Sequence, residues 1–428
     1  MKNRISTERA NLFDPNIYIT MFFDIIGKVD TEMLLLAINR TFTAFEATMS
    51  KIVLLDDGEA YYDTMPISGC TANITQLDWY SLIRENEKSP FLLETGELMR
   101  VFVKPLDCKT EVFIMAHHLV GDGKSIVYFI ESMMKEFIGE TCVFQPLHLI
   151  TEDTFAKESC LQWWIKWWVS SSNRRWKKNG QVFHFTDYYK LQKAYWENRK
   201  SVILIENLLP EQVKIIHKKA TNAGVSMNSY IITAILKVNK NLNSIGLAVN
   251  ARIDNNRTMS NQVTGIAINY SYNEKLSFEK NAQEVHRRIY KKLNHPVNKY
   301  SILRVMSLFQ SSLIDSIMMH TYGLYHNKVT ENLAKILGYT SDSNNSFGIT
   351  NLTKLDIDNT YNECRIENLY FIPPVVSYCS QVVGIATTES GMTVTCHCMS
   401  DTYNENIKLL FEDTMKVLCL GDNSCKII

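Results

Sequence analysis

The run "FIMAHHLVGDGKS" puts two adjacent histidines, His117 and His118, at the end of an apolar stretch, and Asp122-Gly123 begins four residues after the second of them. Imidazole, with an ordinary pKa of about 6.5, can take and return a proton near neutrality, and general-base help is worth about 10² to 10⁴ in rate. A histidine at the mouth of a site is therefore a candidate base. The plain alternative is a strand that ends in a turn. Gly121, Asp122 and Gly123 have turn composition, and Asp122 suits the N-cap of a following helix while both histidines merely pack. Histidine supplies only 10 of 428 residues, and a turn alone does not explain a pair of them at this spacing.

If residues 110 to 118 are extended, side chains alternate between faces. His117 then lies with Phe113 and Met115, and His118 with Val112, Ile114 and Ala116. The two histidines have different jobs: one packs, and the other reaches the opposite face where the strand ends. The elements that must position them are legible around the motif. Residues 98–106 and 110–118 read as a hairpin turned at Asp107, and 124–139 as a helix with Ile126, Ile130, Met133 and Phe137 inward and Gly139 as its stop. Upstream, 16–26 reads as a strand. Residues 30–45 read as a helix capped by Asp30 or Thr31, with Leu34, Leu35, Ile38, Phe42 and Phe45 on one side.

From about 200 the pattern restarts. A strand "SVILIENL" precedes a helix opened by Pro210 and stopped before Gly224, then a second helix "SMNSYIITAILKVNK" and the strand "IGLAVNAR". Helices are expected over 277–293 and 301–320, strands in "SFGITNL", "IENLYFI", "SYCSQVVGIA" and "GMTVTCHCM", and a closing helix in "NENIKLLFEDTMKVL". The expected organisation is two units of ordinary domain size, 1–145 and 196–428. Between them, residues 146–195 are dense in tryptophan, lysine and arginine. Such a mixture suits nucleic acid or a membrane surface, but it reads here as a connector whose aromatics cover the seam while the bases snorkel outward.

"HHLVGDG" resembles the HHxxxDG signature of the superfamily of condensation domains and chloramphenicol-acetyltransferase-like acyltransferases, and matches it at every signature position. "ITMFFDIIGKVDTEMLLLAINRTF" is similar to that family's opening strand, turn and helix. "LAVNARID" resembles its strand ending in Asn-x-Arg, and "NQVTGIAINY" the loop that follows. "SFGITNLTKLDI" resembles the Ser-Asn-Leu-Gly segment of the alcohol acetyltransferase branch, with Thr350 in place of the serine and Thr353 in place of the glycine. The resemblance implies an α/β (α+β mixed-sheet) fold of two chloramphenicol-acetyltransferase-like subdomains in a V, with a tunnel between them. It implies His118 as general base for an acceptor hydroxyl, amine or thiol attacking an acyl thioester, His117 as its brace, and Asp122 turned away from substrate onto a distant arginine, for which Arg252 is the candidate. The Gly123 N–H and the side chains of Thr350 or Asn351 are the candidate oxyanion donors.

Composition narrows the partners. Lys plus Arg equal Asp plus Glu at 45 each, so no global field favours nucleic acid or an anionic surface. No secretory h-region follows the N-terminus and no uninterrupted apolar run reaches membrane-spanning length, so a cytoplasmic protein without an integral membrane segment is expected. The ten cysteines lack framework spacing, and Cys396 and Cys398 share a strand face with Met392 and Val394, so neither disulfides nor a metal site is expected. No nucleotide fingerprint occurs. The expected co-substrate is acyl-CoA, with an acyl or peptidyl carrier protein in trans as the alternative, and the expected state is a monomer. Three competing readings remain: a stand-alone condensation enzyme, a non-catalytic member with a blocked tunnel, and a Cys-His hydrolase.

Overall fold

The strand Tyr18–Ile26 is buried at eight of its nine positions, the mark of a central strand covered on both faces. It runs antiparallel to Lys109–His117 on one side and to Cys364–Ile372 on the other. The first sheet has the order Thr360–Tyr361, Cys364–Ile372, Tyr18–Ile26, Lys109–His117, Met99–Pro105, Thr71–Ile74. A second, seven-stranded sheet runs Val263–Asn269, Ser244–Asn250, Ser346–Lys354, Gln381–Thr388, Gly391–Met399, Ser201–Leu208, Lys426–Ile427. A small sheet joins Asn3–Arg4, Ala60–Thr64 and Ser50–Leu54. Parallel and antiparallel pairs occur in both large sheets, so the fold is mixed α/β in two layered halves. This computed structural model describes residues 3–155, 159–252, 256–339, 345–376, 379–418 and 426–427.

Helices cover the sheets as amphipathicity requires. Thr31–Ala44, capped by the Asp30 carboxylate accepting the Met33 N–H at 3.1 Å, packs beside Gly123–Phe137 over the first sheet. Pro210–Asn222, Met227–Val238, Phe278–Leu293 and Glu405–Val417 contribute to a separate core on the second. The chain does not divide cleanly near residue 195. Cys364–Ile372 returns to the first sheet, and Ser311–Thr321 joins the first core, where buried Arg9 and Asp315 form a bidentate ion pair at 2.7 and 2.5 Å.

Some elements differ from the reading of the sequence. The single helix expected over 301–320 is two, Pro296–Leu308 and Ser311–Thr321, bent by 100°. Phe309 and Gln310 are extended there, and the Gln310 N–H is held by the Asn173 side chain at 3.0 Å. The expected loop "NQVTGIAINY" contains a strand, Val263–Asn269, because its apolar residues alternate and pair antiparallel with Ser244–Asn250. Residues Ile253 and Asp254 of "LAVNARID", and Ser377 and Tyr378 of the expected strand "SYCSQVVGIA", lie outside the described residues.

In the 146–195 segment, Trp176 is buried with its indole N–H on Ser312 Oγ at 2.9 Å, and Trp168 packs edge-on against Phe309. Trp163, Trp164 and Trp167, by contrast, are exposed. No single helix among the described residues is long and apolar enough to cross a membrane.

Candidate active site

The strand Lys109–His117 ends one residue before His118, which lies in the turn with its backbone N–H donating to Ile17 O at 3.2 Å. His117 is fully buried between the rings of Tyr18 and Phe91, both centroids at 6.0 Å. Its Nδ1 accepts the Leu119 N–H at 3.2 Å, which puts the ring proton on Nε2. Burial, with His118 alongside, pushes the His117 pKa down to about 3, so it stays neutral and packs. The His118 ring is half-buried with Nδ1 enclosed. Burial lowers its pKa below 6.5, opposed by the Asp122 charge and its own backbone carbonyl. At neutral pH His118 is thus an unprotonated base.

Asp122 turns away from the histidines and organises the joint between the halves. Its Oδ1 accepts the Ser125 N–H at 3.0 Å, capping the helix Gly123–Phe137. Arg252, at the end of a second-sheet strand, donates Nη1 to Oδ2 at 2.7 Å and Nη2 to Oδ1 at 3.0 Å. The Gln262 N–H reaches Oδ2 at 2.9 Å. Arg252 Nη2 also donates to Ser125 Oγ at 2.8 Å, and that hydroxyl donates to Ser260 O at 2.9 Å. Burial alone would raise the Asp122 pKa, but the guanidinium charge and these hydrogen bonds hold it below the ordinary 3.8. The pair's side chains are 3% and 1% exposed, so this is a buried, bidentate clamp made through both Nη groups, and no surface ion pair. N-cap and ion-pair partner, the two readings of Asp122, are both present in one carboxylate.

A second set of groups, invisible in the spacing, holds the residue after His118. The Tyr62 hydroxyl lies 2.7 Å from both Leu119 O and Glu8 Oε1. One hydroxyl proton cannot serve two acceptors. Burial raises the Glu8 pKa to about 8, so a protonated Glu8 donates to Tyr62, which donates to Leu119 O. Glu8 and Tyr62 lie over a hundred and about fifty residues from the motif, and only Ser125, at helix position N3, left a local signal.

The Thr350 and Asn351 strand reaches the same corner. A Cβ on Gly123 would meet Leu352 Cδ2 at 2.9 Å and Phe371 ring atoms at 3.1 Å, so a larger residue at the helix start would have to push those side chains aside. Alternation puts Thr350 on the Leu352 face, whereas Asn351 Oδ1 accepts the Thr353 N–H at 2.7 Å. Thr353, standing where the resemblance has glycine, takes the left-handed backbone at φ 63°, with a register shift beside it. The turn forms despite the threonine. Cys396 and Cys398 are buried on their strand with Met392 and Val394, and no metal-binding group of side chains occurs among the described residues.

The fold is that of condensation domains. The first condensation domain of the calcium-dependent antibiotic synthetase, in complex with a substrate analogue, superposes with a TM-score of 0.68 at 13% identity, covering 99% of this chain and 97% of that one. The condensation domain of the monacolin K polyketide synthase MokA gives 0.63 at 11% identity, over 99% and 97%. Polyketide synthase associated protein 5 from Mycobacterium tuberculosis gives 0.61 at 12%, over 99% and 98%. No family model and no curated protein sequence matches the chain.

Proposed function

We propose that the protein is an acyltransferase that moves an acyl group from a thioester donor to a hydroxyl or amine, with His118 as general base. The observation that carries this reading is the Asp122–Arg252 clamp, which fixes the turn after His118 against the opposite half while the imidazole stays neutral and partly open. With Nδ1 enclosed, Nε2 is the nitrogen left to face substrate. It takes the acceptor's proton as the acceptor attacks the thioester carbonyl. Collapse of the tetrahedral intermediate breaks the C–S bond, and the leaving thiolate takes the proton from His118, so that ester or amide and free thiol are formed and the base is restored. The Gly123 N–H, at the first helical position and without an intrahelical acceptor, and the Thr350 hydroxyl are the groups proposed to hold the oxyanion. No metal or organic cofactor enters this scheme.

Two donors fit. The likeness of "SFGITNL" to alcohol acetyltransferases favours acyl-CoA, and the full-length likeness to condensation domains favours a carrier-bound acyl group. Purified protein is incubated with acyl-CoA or with acyl-loaded carrier protein and a panel of alcohols and amines, and free thiol is followed. Release with CoA thioesters supports the first donor, and release only with loaded carrier the second. No release with either, together with unreacted donor, contradicts the reading and favours a binding role for the cleft.

A further inference from the structure

The helix Trp163–Asn179 has two unlike faces. Ile165, Val169, Ser172, Asn173 and Trp176 turn inward, where Val169 and Trp176 are buried and Asn173 bonds Leu308 O. The outward arc holds Trp163, Trp164 and Trp167, exposed by 78%, 52% and 65%. It continues through exposed Lys166, Arg174, Arg175, Lys177 and Lys178, and the helix contains no acidic residue. At 100° per residue, Trp163, Trp167, Arg174 and Lys178 fall almost on one line along its outer surface. Bases in a last helical turn complement the helix dipole and need no partner. That account does not reach the three indoles in the first turns, whose hydration a soluble surface does not explain.

We propose that this face is a docking surface for an anionic lipid bilayer. Indoles seat at the headgroup level, with an apolar body and a polar N–H, and bases on the same face meet the negative surface potential. The chain's net charge is zero, so the attraction is local to a helix about 25 Å long. A convex helix lies flat on a planar surface. Single-stranded nucleic acid, the other partner of mixed aromatics and bases, is bound in grooves that track its backbone.

The test is co-sedimentation of the full chain with vesicles of phosphatidylcholine alone and with about one third phosphatidylserine, with indole emission recorded on the same samples. Expected is binding to the anionic vesicles with a blue shift, weakened about tenfold or more by W163S/W164S/W167S, by R174E/K178E, and by high salt. All five side chains are exposed, and unchanged far-UV circular dichroism checks the fold. Failure to bind either vesicle, equal binding to both, or undiminished binding by the tryptophan variant overturns the proposal. Binding of a single-stranded oligonucleotide in place of vesicles overturns it in favour of nucleic acid.

Discussion

At the scale of single residues, the site rests on a few side chains whose chemistry is set by burial. Arg252 and Asp122 neutralise each other out of water, and removing one partner leaves the other charged and buried. Asp122→Asn is expected to cost about 3–5 kcal/mol in denaturant unfolding. In the double-mutant cycle with Arg252→Met, the two losses are expected to fall well short of additivity. Additive losses would show the pair to be uncoupled. Thr353 holds a left-handed backbone at φ 63° that a β-branched side chain resists. Thr353→Gly is expected to raise stability by about 1 kcal/mol, and a destabilised variant would place the hydroxyl's bond to Leu352 O above the backbone strain. The His118-to-Asp122 spacing was legible because strand, turn and cap have local rules. Arg252 was reachable only through resemblance, being 130 residues away, and Glu8 and Tyr62 left no sign because nothing local announces a long-range hydrogen bond.

Elements set the pH response. Glu8 reaches the turn from the N-terminal segment, and its pKa is raised by burial to about 8. A carboxyl held above its ordinary 4.5 stabilises the fold fully below pH 4.5, and that contribution is lost as pH rises through 8. Glu8→Gln, whose amide can donate to Tyr62 as the acid does, is expected to reduce the fall in stability between pH 5 and 9 by on the order of 1 kcal/mol or more. Asp14, raised by burial to about 7, keeps part of the slope. An unchanged slope in urea unfolding across that range would show Glu8 to be ionised in the fold. Long, periodic elements such as Thr31–Ala44 and Gly123–Phe137 were legible, since apolar spacing alone defines them. The short strands Ser50–Leu54 and Ala60–Thr64, with mixed burial, were not, because pairing partners decide their state. Nor was the break at Phe309–Gln310, which a side chain from another helix holds.

For the whole molecule, the two halves are bound by more than contact. Cys364–Ile372 completes the first sheet and crosses the second so closely that a Cβ on Gly384 would lie 2.4 Å from Phe371 O, while Thr393 and Thr395 donate to Leu369 O and Phe371 O at 2.7 Å. Sequence showed a restart near 200 but not this return, because an apolar strand does not declare which sheet it joins. With His118, Asp122 and Arg252 assembled from one chain, a monomer is expected by size-exclusion chromatography with light scattering, and an obligate oligomer sharing the site between chains would contradict it. The most direct test of the account is thiol release from the thioester donor under single turnover, comparing wild type with His118→Ala across pH 5 to 8. The account predicts a loss of about 10² to 10⁴ in the variant, and a wild-type rate that falls only below pH 6.5, where His118, its pKa lowered, becomes protonated. A variant as fast as wild type at every pH would contradict it.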